Sequence, residues 1–208
     1  MQEKLIIFDM DGTLVNSSLT IANAINYVRR NLGFEPMEQE YILRRVNDHT
    51  INPAKTFYHA RAFEARHEQW FSEYYTKNHA KELVLYDGIK ELLESLKEKG
   101  ASLAVATNAY RISTLESLTY LGVDEYFDSI ACYDDVPLGK PHPDMLYRIL
   151  DALEMKTHQA TFIGDGPRDK MASERAGIDY IMVDWGFTEH KRAVSSVDEL
   201  KQIILNRA

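Results

Sequence analysis

Leu5-Ile6-Ile7-Phe8-Asp9-Met10-Asp11-Gly12-Thr13 is the stretch on which the reading of this chain turns. Four apolar residues in a row read as a short strand buried on both faces, the kind found in parallel sheets. The run stops abruptly at two carboxylates. Open α/β sheets keep their ligands beyond the carboxyl ends of their strands, so Asp9 and Asp11 stand where a site is expected. Side chains two apart on a strand point the same way, and both carboxylates can face one site. Gly12 lets the chain turn sharply just beyond them. Asp-x-Asp-Gly also suits a plain turn. The choice rests on whether other strand ends supply the remaining parts of a phosphate and metal site.

Outward from that stretch, the texture changes after residue 16. From Ser17 to about Lys81 the chain reads as helices only. Ile21, Ile25, Val28 and Leu32 follow helical spacing, with Gly33 as a stop. Glu35-Pro36 is expected to open a second helix running through Val46, and Asn47 to Pro53 is a polar break. Phe63, Trp70, Phe71 and Tyr74 mark one face of a longer helix and are expected to pack in a core. From Leu83 onward, helix and strand alternate. Strands are expected at Leu103–Ala106, Ile130–Cys132, Thr161–Gly164 and Tyr180–Val183. Helices carry Ile89, Leu92, Leu93 and Leu96; then Ile112, Leu115, Leu118 and Leu121; then Met145, Leu146, Ile149, Leu150 and Leu153. A short helix ends near Gly177, and a last one runs from Val197 to Leu205. Repeated strand–helix units predict an α/β fold, a parallel sheet covered by helices on both faces. Residues 1–16 and 83–208 form one core, and 17–82 is an all-helical domain inserted after the first strand. Leaving from a strand tip, the insert is expected over the carboxyl edge of the sheet.

The 208 residues suffice for one good core plus a small second domain. Hydrophobic content of 45% and charged content of 27% are ordinary for a globular protein, and no apolar run is long enough to span a bilayer. No charged-then-apolar leader precedes the first strand, so no signal peptide is expected. Cys132 has no second cysteine to pair with, which fits a reducing cytoplasm. It falls in an apolar run and reads as a small buried hydrophobe. A net charge of −8 argues against a general nucleic-acid or anionic-membrane surface, though not against a small anionic substrate held by a few local cations.

Each predicted strand ends in polar residues suited to phosphate chemistry. The first gives Asp9 and Asp11, the next Thr107 and Asn108. A later loop gives Lys140 within Gly139-Lys140-Pro141-His142-Pro143. The following strand ends in Gly164-Asp165-Gly166-Pro167-Arg168-Asp169. This constellation resembles the haloacid dehalogenase (HAD) superfamily, whose phosphatases and phosphotransferases work through an aspartyl phosphate. Four motifs stand in order: Asp9-Met10-Asp11-Gly12-Thr13, Thr107-Asn108, Lys140-Pro141, and Gly164-Asp165 with Asp169. The resemblance covers nearly the whole chain. The helical block looks like the cap of the subgroup that includes phosphoglycolate phosphatase and β-phosphoglucomutase, on a Rossmann-like core.

The resemblance implies an Mg²⁺-dependent phosphatase acting on a small phosphate monoester. Asp9 is the implied nucleophile, and Asp11 the acid that protonates the leaving alkoxide and later the base that activates water. Asp9, the backbone carbonyl of Asp11, and Asp165 are the implied Mg²⁺ ligands, hard oxygen donors that suit that ion. Asp169 orients a bound water or Lys140 from behind. Thr107 and the Asn108 amide bind the transferring phosphoryl, Lys140 balances its charge, and Thr13 supports the turn.

Where this subgroup often carries glycines in its cap loop, the chain has Val46-Asn47-Asp48-His49-Thr50-Ile51-Asn52-Pro53. Asn47, His49 or Thr50 is expected to contact the leaving group, with Arg44 or Arg45 nearby for a second anionic group. A phosphotransferase or isomerase resembling β-phosphoglucomutase is the alternative, and a non-catalytic sensor of phosphorylated metabolites a second one. Dehalogenase chemistry is disfavoured because a halide leaving group needs no proton from Asp11. The P-loop motif is absent from the sequence. The expected partner is a small phosphorylated metabolite, and the expected state a monomer or homodimer.

Overall fold

Leu5–Phe8 forms strand β1, and all four of its side chains are buried. Such a strand needs protein on both faces, and the computed structural model, which describes residues 4–46, 51–186 and 193–206, supplies it. Strand β2 (Val15–Asn16) pairs antiparallel with β3 (Val84–Leu85) as a short ribbon. The main strands are β1, β4 (Ser102–Ala106), β5 (Ser129–Ala131), β6 (Ala160–Gly164) and β7 (Asp179–Met182). Among the described residues they make a five-stranded parallel sheet in the order β5-β4-β1-β6-β7. The chain folds as two compact units, Met1–Asn16 with Val84–Ala208, and Ser17–Leu83.

In the sheet-bearing unit, β1 lies at the centre, so its tip has neighbours on both sides. Leu5 and Ile7 join a core with Ala104, Phe162, Met145, Leu146, Ile149, Ala172 and Ala176. The last five of these come from helices α7 (Asp144–Ala152) and α8 (Pro167–Ala176). Ile6 and Phe8 alternate to the opposite face. There helix α5 (Ile89–Glu98) packs on β4 with Ile89, Leu92, Leu93 and Leu96 all buried. Full burial of each such side chain contributes about 1.5–3 kcal/mol. Helix α9 (Val197–Asn206) packs against α5.

Helix α6 (Arg111–Leu121) departs from the expected apolar stripe. Ile112 is 73% exposed and Leu115 39% exposed, whereas Thr114, Ser117 and Leu118 are buried. The small polar side chains allow close approach. Ser117 satisfies its hydroxyl on the Ser113 carbonyl at 2.7 Å, so its burial leaves no orphaned donor.

In the helical unit, α1 (Ser18–Asn31) packs on α2 (Gln39–Val46), α3 (Pro53–Tyr58) and α4 (Ala65–Glu82). Its core holds Ala22, Ile25, Val28, Ile42, Phe57 and Tyr58. Two expectations change here. Helix α2 begins at Gln39, not at Glu35-Pro36. The Asn26 carboxamide takes both the amide and the carbonyl of Met37, at 2.8 and 2.9 Å, holding that segment out of the helix. Phe63 is 50% exposed, while Trp70 and Phe71 do pack on the core. The guanidinium of the buried Arg29 donates to the carbonyls of Glu35 and Phe57, tying the segment before α2 to the end of α3.

Candidate active site

The turn after β1 is built on one carbonyl. Met10 accepts from the amides of Thr13, Leu14 and Val15, and the Gly12 amide donates to Val15. Gly12 sits at φ +85°, and a Cβ there would fall 2.1 Å from Asp165 Oδ2. Only glycine serves both the left-handed backbone and the close approach of that carboxylate. The turn leaves Asp9 buried, with the buried Thr13 hydroxyl 3.4 Å from its Oδ2.

Lys140 reaches Asp9 from the loop after β5 and is 6% exposed. Its Nζ contacts Asp9 Oδ1, and Asp169 Oδ1 at 2.7 Å. It also lies 5.5 Å from the centre of the Phe162 ring. The Lys140 backbone is held by one side chain: Asn108 Nδ2 donates to its carbonyl and Asn108 Oδ1 accepts from its amide, both at 2.9 Å. The Asn108 carboxamide is thus committed to fixing Lys140, which leaves only its backbone amide for a bound phosphoryl group. Thr107 is buried at the end of β4, and its Oγ1 accepts from the Ala109 amide at 3.0 Å.

Helix α8 brings Asp169 into the same place. Gly164 lacks the Cβ that would meet Asp169 Cβ at 2.6 Å, so the helix start can lie against the end of β6. The other Asp169 oxygen accepts from the Gly166 amide at 3.2 Å. Asp9, Asp165 and Asp169 each offer a carboxylate oxygen, all within 4.8 Å of one another. Asp11, half-buried at the start of the turn, lies outside that carboxylate group.

Electrostatics follow from the count of charges. Burial disfavours the charged form of Lys140, but Asp169 and Asp9 outweigh it and hold the ammonium protonated. One ammonium cannot neutralise three carboxylates. Burial pushes Asp9 well up, Lys140 opposes, and Asp169 and Asp165 add to the rise. Asp165 is raised to about 7 by burial and by Asp169, against the pull of Lys140. A buried, oxygen-only cluster with surplus negative charge fits a hard divalent cation.

The structure thus brings together Asp9, Asp11, Thr13, Thr107, Asn108, Lys140, Asp165 and Asp169, all from the sheet-bearing unit. Arg44 lies on α2 of the helical unit, exposed and 3.6 Å from Glu40. Asn47, His49 and Thr50 lie outside the described residues. Three aromatic residues escaped the sequence reading. Tyr180 donates from its hydroxyl to the Gly164 carbonyl at 2.8 Å, steadying the end of β6. Trp185 donates from its indole to the Thr13 carbonyl at 2.9 Å, and its ring meets Tyr86 at 5.9 Å. Burial, then Asp165, Asp11 and Asp184, push the Tyr86 hydroxyl above its ordinary value. Their signal in sequence is faint: a tyrosine in an apolar strand, and aromatics just past an element's end.

The haloacid dehalogenase-like hydrolase family matches residues 6–183. The chain belongs to that family. Pyrophosphatase PpaX of Halalkalibacterium halodurans is 30% identical over 188 residues, covering 89% of this chain and 85% of the relative. A phosphoglycolate phosphatase of Colwellia psychrerythraea is 33% identical over 201 residues, covering 90% and 87%. The crystal structure of "a predicted phosphoglycolate phosphatase" from Haemophilus somnus 129pt superposes with a TM-score of 0.82 at 27% identity, covering 100% of this chain and 99% of that one. The protein is an enzyme, a HAD-like phosphatase. Among the described residues, no helix is long and apolar enough to cross a membrane.

Proposed function

We propose that the protein is an Mg²⁺-dependent phosphatase that hydrolyses a small phosphate monoester through a phosphoaspartate on Asp9. The observation that carries this reading is the shared lysine: Lys140 Nζ bridges Asp9 and Asp169 inside a buried carboxylate cluster. A dianionic phosphoryl group needs that cationic charge beside the attacking oxygen.

A carboxylate oxygen of Asp9 attacks phosphorus as the bond to the leaving oxygen breaks. Asp11 gives its proton to that leaving oxygen, releasing an alcohol. Water then attacks the phosphoaspartate, Asp11 takes the water's proton, and inorganic phosphate leaves with Asp9 restored. Thr107 and the backbone amide of Asn108 hold the phosphoryl oxygens, Lys140 balances their charge, and Asp169 holds Lys140. Asp9, Asp165 and the Asp11 carbonyl are the residues that would hold Mg²⁺. Bound there, the ion supplies charge neutralisation to the phosphoryl oxygens and the carboxylates. The helical insert, with Arg44, Asn47, His49 and Thr50, is assigned the choice of leaving group.

Relatives named for phosphoglycolate and for pyrophosphate define the panel to test. Phosphate release is measured on phosphoglycolate, sugar phosphates and pyrophosphate with Mg²⁺, beside Asp9→Asn. The variant is expected to lose turnover while keeping its fold. An Asp9→Asn protein as active as its parent overturns the nucleophile. An unchanged substrate ranking in His49→Ala removes that residue from specificity.

A further inference from the structure

Thr13 does two things in the turn after β1. Its hydroxyl lies 3.4 Å from Asp9 Oδ2, and its carbonyl receives the Trp185 indole N–H at 2.9 Å. The turn's own backbone bonds run to the Met10 and Val15 carbonyls, so the Thr13 carbonyl takes a partner from 172 residues away. Indole nitrogen can only donate, so the sense of this bond is unambiguous. The next carbonyl, Leu14, is taken by the Tyr86 amide at 3.1 Å, and the Tyr86 ring packs on the indole. Trp185 and Tyr86 therefore hold two consecutive carbonyls of the turn that presents Asp9.

The support behind Trp185 is firm. Asp184 donates its amide to the Val194 carbonyl at 2.9 Å, Val194 donates to Met182, and Val183 donates to Gly164 at the end of β6. The Asp184 carboxylate accepts from the Gly186 amide at 3.0 Å. A residue just past the edge strand β7 thus reaches back to the turn after the central strand β1.

We propose that Trp185 is a positioning residue, which fixes Thr13 through its indole N–H and thereby orients the carboxylate of Asp9. This rests on the reading of Asp9 as the nucleophile. A bond that merely satisfied a buried carbonyl would matter to stability alone. A bond that orients the nucleophile matters to turnover, because small misplacements of a reacting group cost rate steeply.

The test is Trp185→Phe in the full chain, which keeps a ring against Tyr86 and removes the donor. Trp70→Phe, on α4 of the helical unit, controls for loss of a tryptophan. Trp185→Phe is expected to lower kcat about tenfold with KM within about twofold. Amide exchange at Gly12, Thr13 and Leu14 should rise severalfold, with protection in β4 and β6 and the melting temperature unchanged. Tyr86→Leu, which removes the ring that seats the indole, should move kcat the same way by less. Unchanged kcat and unchanged exchange in the turn overturn the proposal. So does a fall in melting temperature with lost protection throughout the sheet, which marks a purely structural role. If Asp9→Asn stays active, the nucleophile reading fails, and turn exchange in Trp185→Phe still decides whether the indole holds the turn.

Discussion

Lys140 is the residue whose loss should be felt most widely. It is buried between Asp9 and Asp169, in contact with both carboxylates. Removing one member of a buried ion pair typically costs about 3–5 kcal/mol, because the remaining charge is left unmatched. Lys140→Met should show that loss in urea unfolding at pH 7 without Mg²⁺, along with loss of turnover. A variant as stable as its parent would mean that the lysine contributes nothing to the cluster. Gly12→Ala is the second sharp case. Its Cβ would collide with the Asp165 carboxylate in a left-handed backbone that already disfavours alanine. Phosphate release should fall on the order of 100-fold, the scale of an ångström of misplacement in a site. Wild-type rates in Gly12→Ala would show that the two carboxylate segments need not approach so closely.

At the scale of single elements, burial rather than hydropathy ranks the helices' side chains. Leu93 on α5 is fully buried, and Leu93→Ala should cost about 2–5 kcal/mol in chemical unfolding. Ile112 on α6 is as apolar but mostly exposed, and Ile112→Ser should stay within about 0.5 kcal/mol. Equal effects from the two would refute this assignment of faces. The start of α6 is tied to the turn Tyr133–Asp135. Arg111 Nε donates to Asp135 Oδ1 at 2.8 Å, and the Cys132 amide donates to Asp135 Oδ2 at 2.9 Å. Burial would raise the Asp135 carboxyl, but these partners outweigh it and hold it below its ordinary value. A carboxyl depressed in the folded state adds stability above its unfolded pKa, near 3.8, and loses it as pH falls through the folded value. Asp135→Asn should therefore cost about 1 kcal/mol at pH 7, and the gap to wild type should close below about pH 4. A gap of constant size from pH 7 to pH 3 would show that the charge is irrelevant.

Across the whole molecule, the proposed Mg²⁺ site would link folding to metal. A ligand at 100 times its dissociation constant stabilises by about 2.7 kcal/mol, about 5–10 °C in a chain of this size. Saturating Mg²⁺ should raise the melting temperature by that order, EDTA should remove both the rise and the activity, and Asp165→Asn should show neither. A melting temperature indifferent to Mg²⁺ would argue against a cation held by Asp9, Asp165 and the Asp11 carbonyl.

Much of the fold was legible in order along the chain. A doubly buried run such as Leu5–Phe8, helical spacing such as Ile89-Leu92-Leu93-Leu96, and glycine stops are local patterns, and local chemistry decides them. The four site motifs were legible through their order and the family resemblance: three stand at strand ends, and Lys140-Pro141 lies in the loop after β5. The start of α2 was not, because Asn26, eleven residues away, claims the backbone of Met37. Nor was the exposed side of α6, where buried Thr114 and Ser117 displace larger apolar neighbours. In Leu5–Thr13, residue types alone identified two carboxylates at a strand tip. What holds that tip came only with the tertiary structure: Lys140 and Asp169 on Asp9, Asp165 against Gly12, and the Trp185 indole on Thr13. These contacts join residues up to 172 positions apart, and sequence spacing carries no record of a distance that only packing sets.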